Sequence, residues 1–64
     1  MRSPNRIPKT IALLQSLWYR YPDLRFGQVC ALVQSKAAEA GKDLFQMEEH
    51  EVNQLLLNII TEGA

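Results

Sequence analysis

Disulfides are the first thing this chain does without. Cys30 is the single cysteine among 64 residues, so no intramolecular bridge can form. His50 is the single histidine, and one thiol with one imidazole cannot make a closed structural zinc site unless distant carboxylates join them. The three glycines are scattered, which leaves no glycine-rich phosphate loop. No segment approaches the run of about 20 apolar residues that a membrane span requires. The basic opening "MRSPNRIPK" is not followed by an unbroken apolar stretch with a cleavage site, so an export signal is not expected. A free thiol without an export signal points to a reducing, cytoplasmic setting. Seven basic and seven acidic residues sum to zero, so there is no general electrostatic drive toward nucleic acid.

What remains must hold a small domain together. A single core of this size rarely supplies more than roughly 3–5 kcal/mol of net stability. With no disulfide or structural metal, tight helix packing, self-association or both have to provide it. The charge is unevenly placed: residues 1–36 carry net +5 and residues 37–64 net −5. Such a dipole suits attraction between the two halves within the fold or across an antiparallel dimer. It also leaves room for a basic face toward nucleic acid or an acidic face toward a basic partner.

Apolar periodicity predicts three helices and no strand. Ile7, Ile11, Leu14, Leu17, Trp18 and Tyr21 recur at helical spacing, with Leu13 beside the stripe. Asn5 is the expected N-cap, and Pro22 ends the helix by forcing Tyr21 out of the α region. Residues 7–20 are therefore helical, behind a flexible basic tail over 1–6. Asp23 is placed to cap a second helix over 24–40, whose stripe is Phe26, Val29, Leu32, Val33 and Ala37, with Cys30 at its edge. Gly27 predicts close approach of another backbone, and Gly41 a left-handed stop. "KDLFQM" is a connector expected to lay Phe45 into the core. A third helix over 48–61 opens on Glu48, Glu49 and Glu51, favourable at the positive dipole end. Val52, Leu55, Leu56, Ile59 and Ile60 form its stripe, with Leu57 outside. The expectation is an all-α, compact three-helix domain in which short connections set consecutive helices side by side.

The aromatic stretch "LWYRYPDLRFGQV" (17–29) then reads as a corner built from packing and capping. Trp18 and Phe26 belong to the core in this reading, and truncating Trp18 to Ala should cost about 3–5 kcal/mol. Its polar remainder, Arg20, Asp23, Arg25 and Gln28, is left for a partner, and an Asp23–Arg25 surface pair would add at most about 1 kcal/mol. Leu57 joins this partner-binding set because it and Leu13 are surplus to the stripes.

Leu13-Leu14, Trp18, Pro22-Asp23-Leu24-Arg25 and Gly27-Gln28, followed by Asp43, Phe45, Glu48, Glu49 and Glu51, resemble a family of small bacterial and phage-type helical proteins related to YihD. The resemblance spans about residues 7 to 60. The chain departs from that pattern at Phe26, where a Leu is common, and at Gln46, where a Tyr is common. The resemblance implies a small helical protein and brings no activity, cofactor or catalytic residue.

Tests for chemistry come back negative. "HEVNQ" (50–54) has Gln54 where a zinc protease needs its second histidine. Glu48, Glu49, His50 and Glu51 lack the spacing and glycine of a calcium loop. Cys30 and His50 could form a nucleophile pair, but apolar surroundings without a cation make an unreactive thiol the expectation. No catalytic residue, metal, cofactor or small-molecule substrate is therefore expected. For DNA, the third helix would present three carboxylates to phosphates. Arg25, Gln28, Gln34, Ser35 and Lys36, with Arg2, Arg6 and Lys9, make the better surface. The expected function is non-catalytic: a protein-interaction or regulatory accessory module, with +5 and −5 ends suited to a homodimer. A small helix-turn-helix-like nucleic-acid binder is the alternative.

Overall fold

The computed structural model describes residues 3–62. Three α-helices and one short 3-10 turn account for its regular structure: α1 (Arg6–Arg20), α2 (Phe26–Glu39), the turn Leu44–Gln46 and α3 (Glu49–Glu62). The chain is an all-α three-helix domain, with no strand among the described residues. No helix is long and apolar enough to cross a membrane among those residues.

Each boundary has a local cause. The N–H groups of Arg6 and Ile7 donate to the carbonyls of Ser3 and Pro4, so a preceding turn supplies the first partners of α1. Asn5 holds the N-cap position, but its side chain makes no capping bond. Tyr21 leaves the helix at φ −128°, ψ 65°, as a following proline requires. The cap of α2 is not Asp23 but Arg25, in extended geometry, whose N–H donates to Gln28 Oε1 at 2.8 Å. The turn closed by Leu24 N–H on Tyr21 O consumes Asp23 and delays the helix start by two residues. At the other end Gly41 takes φ 75°, and the N–H groups of Lys42 and Gly41 donate to Ala37 O and Ala38 O, both at 2.9 Å. Only a residue without a Cβ adopts that conformation freely.

The core is Leu17 from α1, Val29, Val33 and Ala37 from α2, and Leu56 and Ile59 from α3. Leu13, Leu14, Trp18, Tyr21, Leu24, Leu32, Leu44, Val52, Leu55 and Ile60 pack around it, half-buried. The main helix pair is α1 with α3 rather than the consecutive pair α1 with α2. These two run parallel. Arg6 meets Glu49 (2.6 Å) and Thr10 meets Asn53 (2.7 Å) near the helix starts, and Arg20 donates to Ile60 O (2.6 Å) near their ends.

That register explains a correction. The strip of α1 facing α3 is Arg6, Thr10, Leu13 and Leu17, one step around from the strip containing Ile7 and Ile11. Those two isoleucines are about half exposed, at 49% and 53%, instead of lying in the core. Gly27 is corrected as well, because a Cβ built there meets nothing within 4 Å. Residues 1–2 of the expected basic tail lie outside the described residues. Of the rest, Ser3 to Asn5 form a turn, and Arg6 is helical and ion-paired.

Candidate aromatic interface

The corner between α1 and α2 carries the largest concentration of exposed aromatic surface. Helix α1 ends on Trp18, Tyr19 and Tyr21. Pro22 turns the chain, and α2 begins directly at Phe26. Trp18 is half-buried, and its indole N–H donates to Leu24 O at 2.8 Å, which fixes the ring and satisfies its polar edge. Phe26 stacks on it, ring centroids 5.6 Å apart and planes tilted by 42°. The stack does not bury Phe26, which stays 55% exposed. Phe26 lies on the same helical stripe as Val29 and Val33, but as the first residue of α2 it overhangs the core instead of entering it.

Tyr19 points away from the core and is 75% exposed. Together with Gln15, Trp18, Pro22 and Leu24 it walls a groove of about 480 Å³. The lining is predominantly apolar, with Gln15 and the Tyr19 hydroxyl as its polar groups. Rigid aromatic rings beside a proline form a surface that loses little conformational entropy when covered.

The five residues expected to meet a partner are not gathered into one patch. Arg25 and Asp23 are exposed beside the groove, and no ion pair joins them among the described residues. Gln28 is exposed, but its side chain is engaged in capping α2. Arg20 reaches away to the carbonyl of Ile60 on α3. Leu57 is 41% exposed on α3. The corner therefore contributes Asp23 and Arg25, and the aromatic residues beside them were missed. Tyr19 was legible as an aromatic off the helical stripe. Phe26 was not.

Phe45 is a further correction. It was expected in the core and stands 89% exposed, because its neighbour Leu44 takes the inward position of the three-residue turn. The turn is nevertheless well held. Leu44 N–H donates to Gln34 Oε1 and Phe45 N–H to Asp43 Oδ1, both at 3.1 Å.

Of the basic residues proposed for nucleic acid, Arg6 and Lys36 are ion-paired, whereas Lys9 and Arg25 make no ion pair among the described residues. Arg6 pairs with Glu49 at 2.6 Å, Lys36 with Glu39 at 4.0 Å and Glu62 at 3.7 Å, and Lys42 with Glu51 at 2.6 Å. Arg2 lies outside the described residues. Lys42 donates a hydrogen bond to the Glu51 carboxylate, and the Glu48 N–H adds another. Together with the lysine charge they hold the Glu51 carboxyl below its ordinary value of 4.5. His50 is exposed and lines a second groove with Ala37, Lys42 and Met47, while Cys30 is half-buried and not among its walls. No group of three potential metal ligands occurs among the described residues.

No protein-family model matches the chain, and neither a curated protein nor a solved structure is significantly similar to it.

Proposed function

We propose that the protein is a non-catalytic interaction module that binds a protein partner stoichiometrically through the aromatic corner of α1 and α2. The observation that carries this reading is a groove lined by Trp18 and the 75% exposed Tyr19, with Phe26, 55% exposed, stacked on Trp18 beside it. Tyrosine, tryptophan and arginine dominate the energetically decisive positions of protein interfaces, and here Arg25 stands beside the rings. The cytoplasm, where Cys30 stays reduced, is the setting proposed for it. Membership of the YihD-related family is part of the same proposal and brings no activity with it.

Nucleic-acid binding draws less support, because Arg6 and Lys36 already have carboxylate partners within the chain. The test is paired affinity capture from the source cell, using the wild type and a Tyr19→Ala/Phe26→Ala double variant as baits. A partner retained by the first and lost by the second is then purified and titrated against the protein. Saturation at one partner per binding site, with a change in Trp18 fluorescence, is the expected result. Equal retention by both baits removes the corner from the mechanism.

A further inference from the structure

Two exposed aromatic features of this chain complement each other and do not meet within one copy: Phe45 is not among the residues lining the groove. Phe45 stands out at 89% exposure from the turn that Gln34 holds against the C-terminal half of α2, and the groove of Trp18, Tyr19, Pro22 and Leu24 lies beside the start of that helix. Gln34, which holds the turn, is eight residues beyond Phe26, so about 12 Å of helix axis lies between the two features. We propose that the protein forms a two-fold dimer in which Phe45 of each copy seats in the aromatic groove of the other. The inference rests on reading the groove as a binding surface and names a second copy as the occupant.

Three observations carry it. First, the knob is presented rigidly. Leu44 anchors its turn against the core, Gln34 and Asp43 accept the N–H groups of Leu44 and Phe45, and Met47 N–H closes on Leu44 O at 3.2 Å. A phenyl ring carried on a backbone that is already held before binding adds only its own side-chain ordering to the cost of docking. Second, the groove is apolar and aromatic, suited to a phenyl ring by offset or edge-to-face contact. Third, the charges agree. Arg25 flanks the groove without an ion pair among the described residues, while Asp43, two residues before Phe45, is exposed. Knob and groove at separate points along one helix let an antiparallel pair of copies make both contacts at once. The same patch then recurs on both subunits, as a closed dimer requires.

The experiment is sedimentation velocity from about 10 µM to about 1 mM on the wild type, Phe45→Ala, Tyr19→Ala and an equimolar mixture of the two variants, with Trp18 emission recorded in parallel. Circular dichroism checks that each variant, altered only at an exposed side chain, keeps its helices. The wild type should dimerise, and each variant alone should associate at least about tenfold more weakly. The mixture should recover part of the association, because the intact Phe45 of the Tyr19→Ala copy meets the intact groove of the Phe45→Ala copy. A monomeric wild type at about 1 mM overturns the proposal, as do variants that dimerise normally, a mixture without recovery, or a ladder of larger species. The groove reading stands or falls separately, on whether the captured partner needs Tyr19 and Phe26.

Discussion

Replacing Leu17 by alanine tests the packing argument at its most demanding point. Leu17 is fully buried and touches the cluster that joins all three helices, including Val29, Val33, Leu56 and Ile59. Removing three carbon groups forfeits about 2.4 kcal/mol of transfer free energy at roughly 0.8 kcal/mol each. The void left among residues from three helices adds more, because the helices cannot all move inward together, and buried leucine truncations span about 2–5 kcal/mol. A domain of this size has roughly 3–5 kcal/mol in total. Leu17→Ala should therefore bring the protein to the edge of unfolding at 25 °C. With a urea slope of about 1 kcal/mol/M, the midpoint should fall by about 2–3 M or vanish from the curve. Phe26→Ala is the internal control. It removes a larger side chain, but one that is mostly in water, so its main loss is the Trp18 contact, about 0.5–1.5 kcal/mol. Equal midpoints for the two variants, or a larger effect from Phe26, would refute this assignment of the core.

Three further outcomes follow from individual contacts. Gly27→Ala should be neutral or stabilise by up to about 1 kcal/mol, since helix propensity gains and no neighbour is in the way. Gly41→Ala should destabilise by about 1–2 kcal/mol because φ 75° is unfavourable for an L-residue; thermal unfolding of the pair should show shifts of opposite sign. The Glu51 carboxyl titrates lower in the folded chain than in the unfolded one. Its stabilising effect is therefore present above about pH 4.5 and disappears as the pH falls through its lowered folded value. Glu51→Gln should flatten that acid limb in a pH series of urea midpoints, and an unchanged limb would count against the Lys42 contact. Duplex DNA titrated at two salt concentrations should show no micromolar binding at moderate salt. Lys9, Arg20 and Arg25 are the described cations without an ion pair in the fold, which limits the log–log salt slope to about 2.7 for those three. A steeper slope with tight binding would reverse the preference for a protein partner.

The helices were legible because they depend on local signals. Period 3.6 in the apolar residues, Pro22 and Gly41 are read within a few positions of where they act, and the boundaries agree to within one or two residues. The interface was not legible, because exposure depends on which elements end where. Phe26 satisfies the same periodicity as Val29 and Val33, yet α2 starts on it and nothing lies beyond to cover the ring. Ile7 and Ile11 satisfy the periodicity of Leu14 and Trp18. The parallel register of α1 with α3 turns Arg6 and Thr10 inward instead and leaves the isoleucines at the edge. In the turn Leu44–Gln46 two adjacent apolar residues compete for one inward position, and no sequence spacing says which of them takes it. Capping was misassigned for the same reason. Asp23 has the right chemistry, but the turn after Pro22 uses the residues that would have placed it.

The uneven charge of the chain bears directly on where binding energy can reside. A net +5 half and a net −5 half suggest a molecule that recruits partners electrostatically. Folding brings the halves together. Arg6 meets Glu49 and Lys36 meets Glu62, each pairing a cation of the first half with a carboxylate of the second, and within the second half Lys42 meets Glu51. These are half-exposed contacts, individually worth about 1 kcal/mol or less, yet each fixes helix register and removes a charge from the surface field. Beside a few unpaired charges such as Lys9 and Arg25, the most exposed large apolar side chains are aromatic: Tyr19, Phe26 and Phe45, set on well-held backbone around α2. A partner, including a second copy of the chain, is therefore better recognised by ring packing than by charge. Raising salt from 0.05 to 0.5 M should then weaken association only modestly, through charges at the rim such as Arg25 and Asp43, whereas an interface built on ion pairs would weaken steeply over the same range.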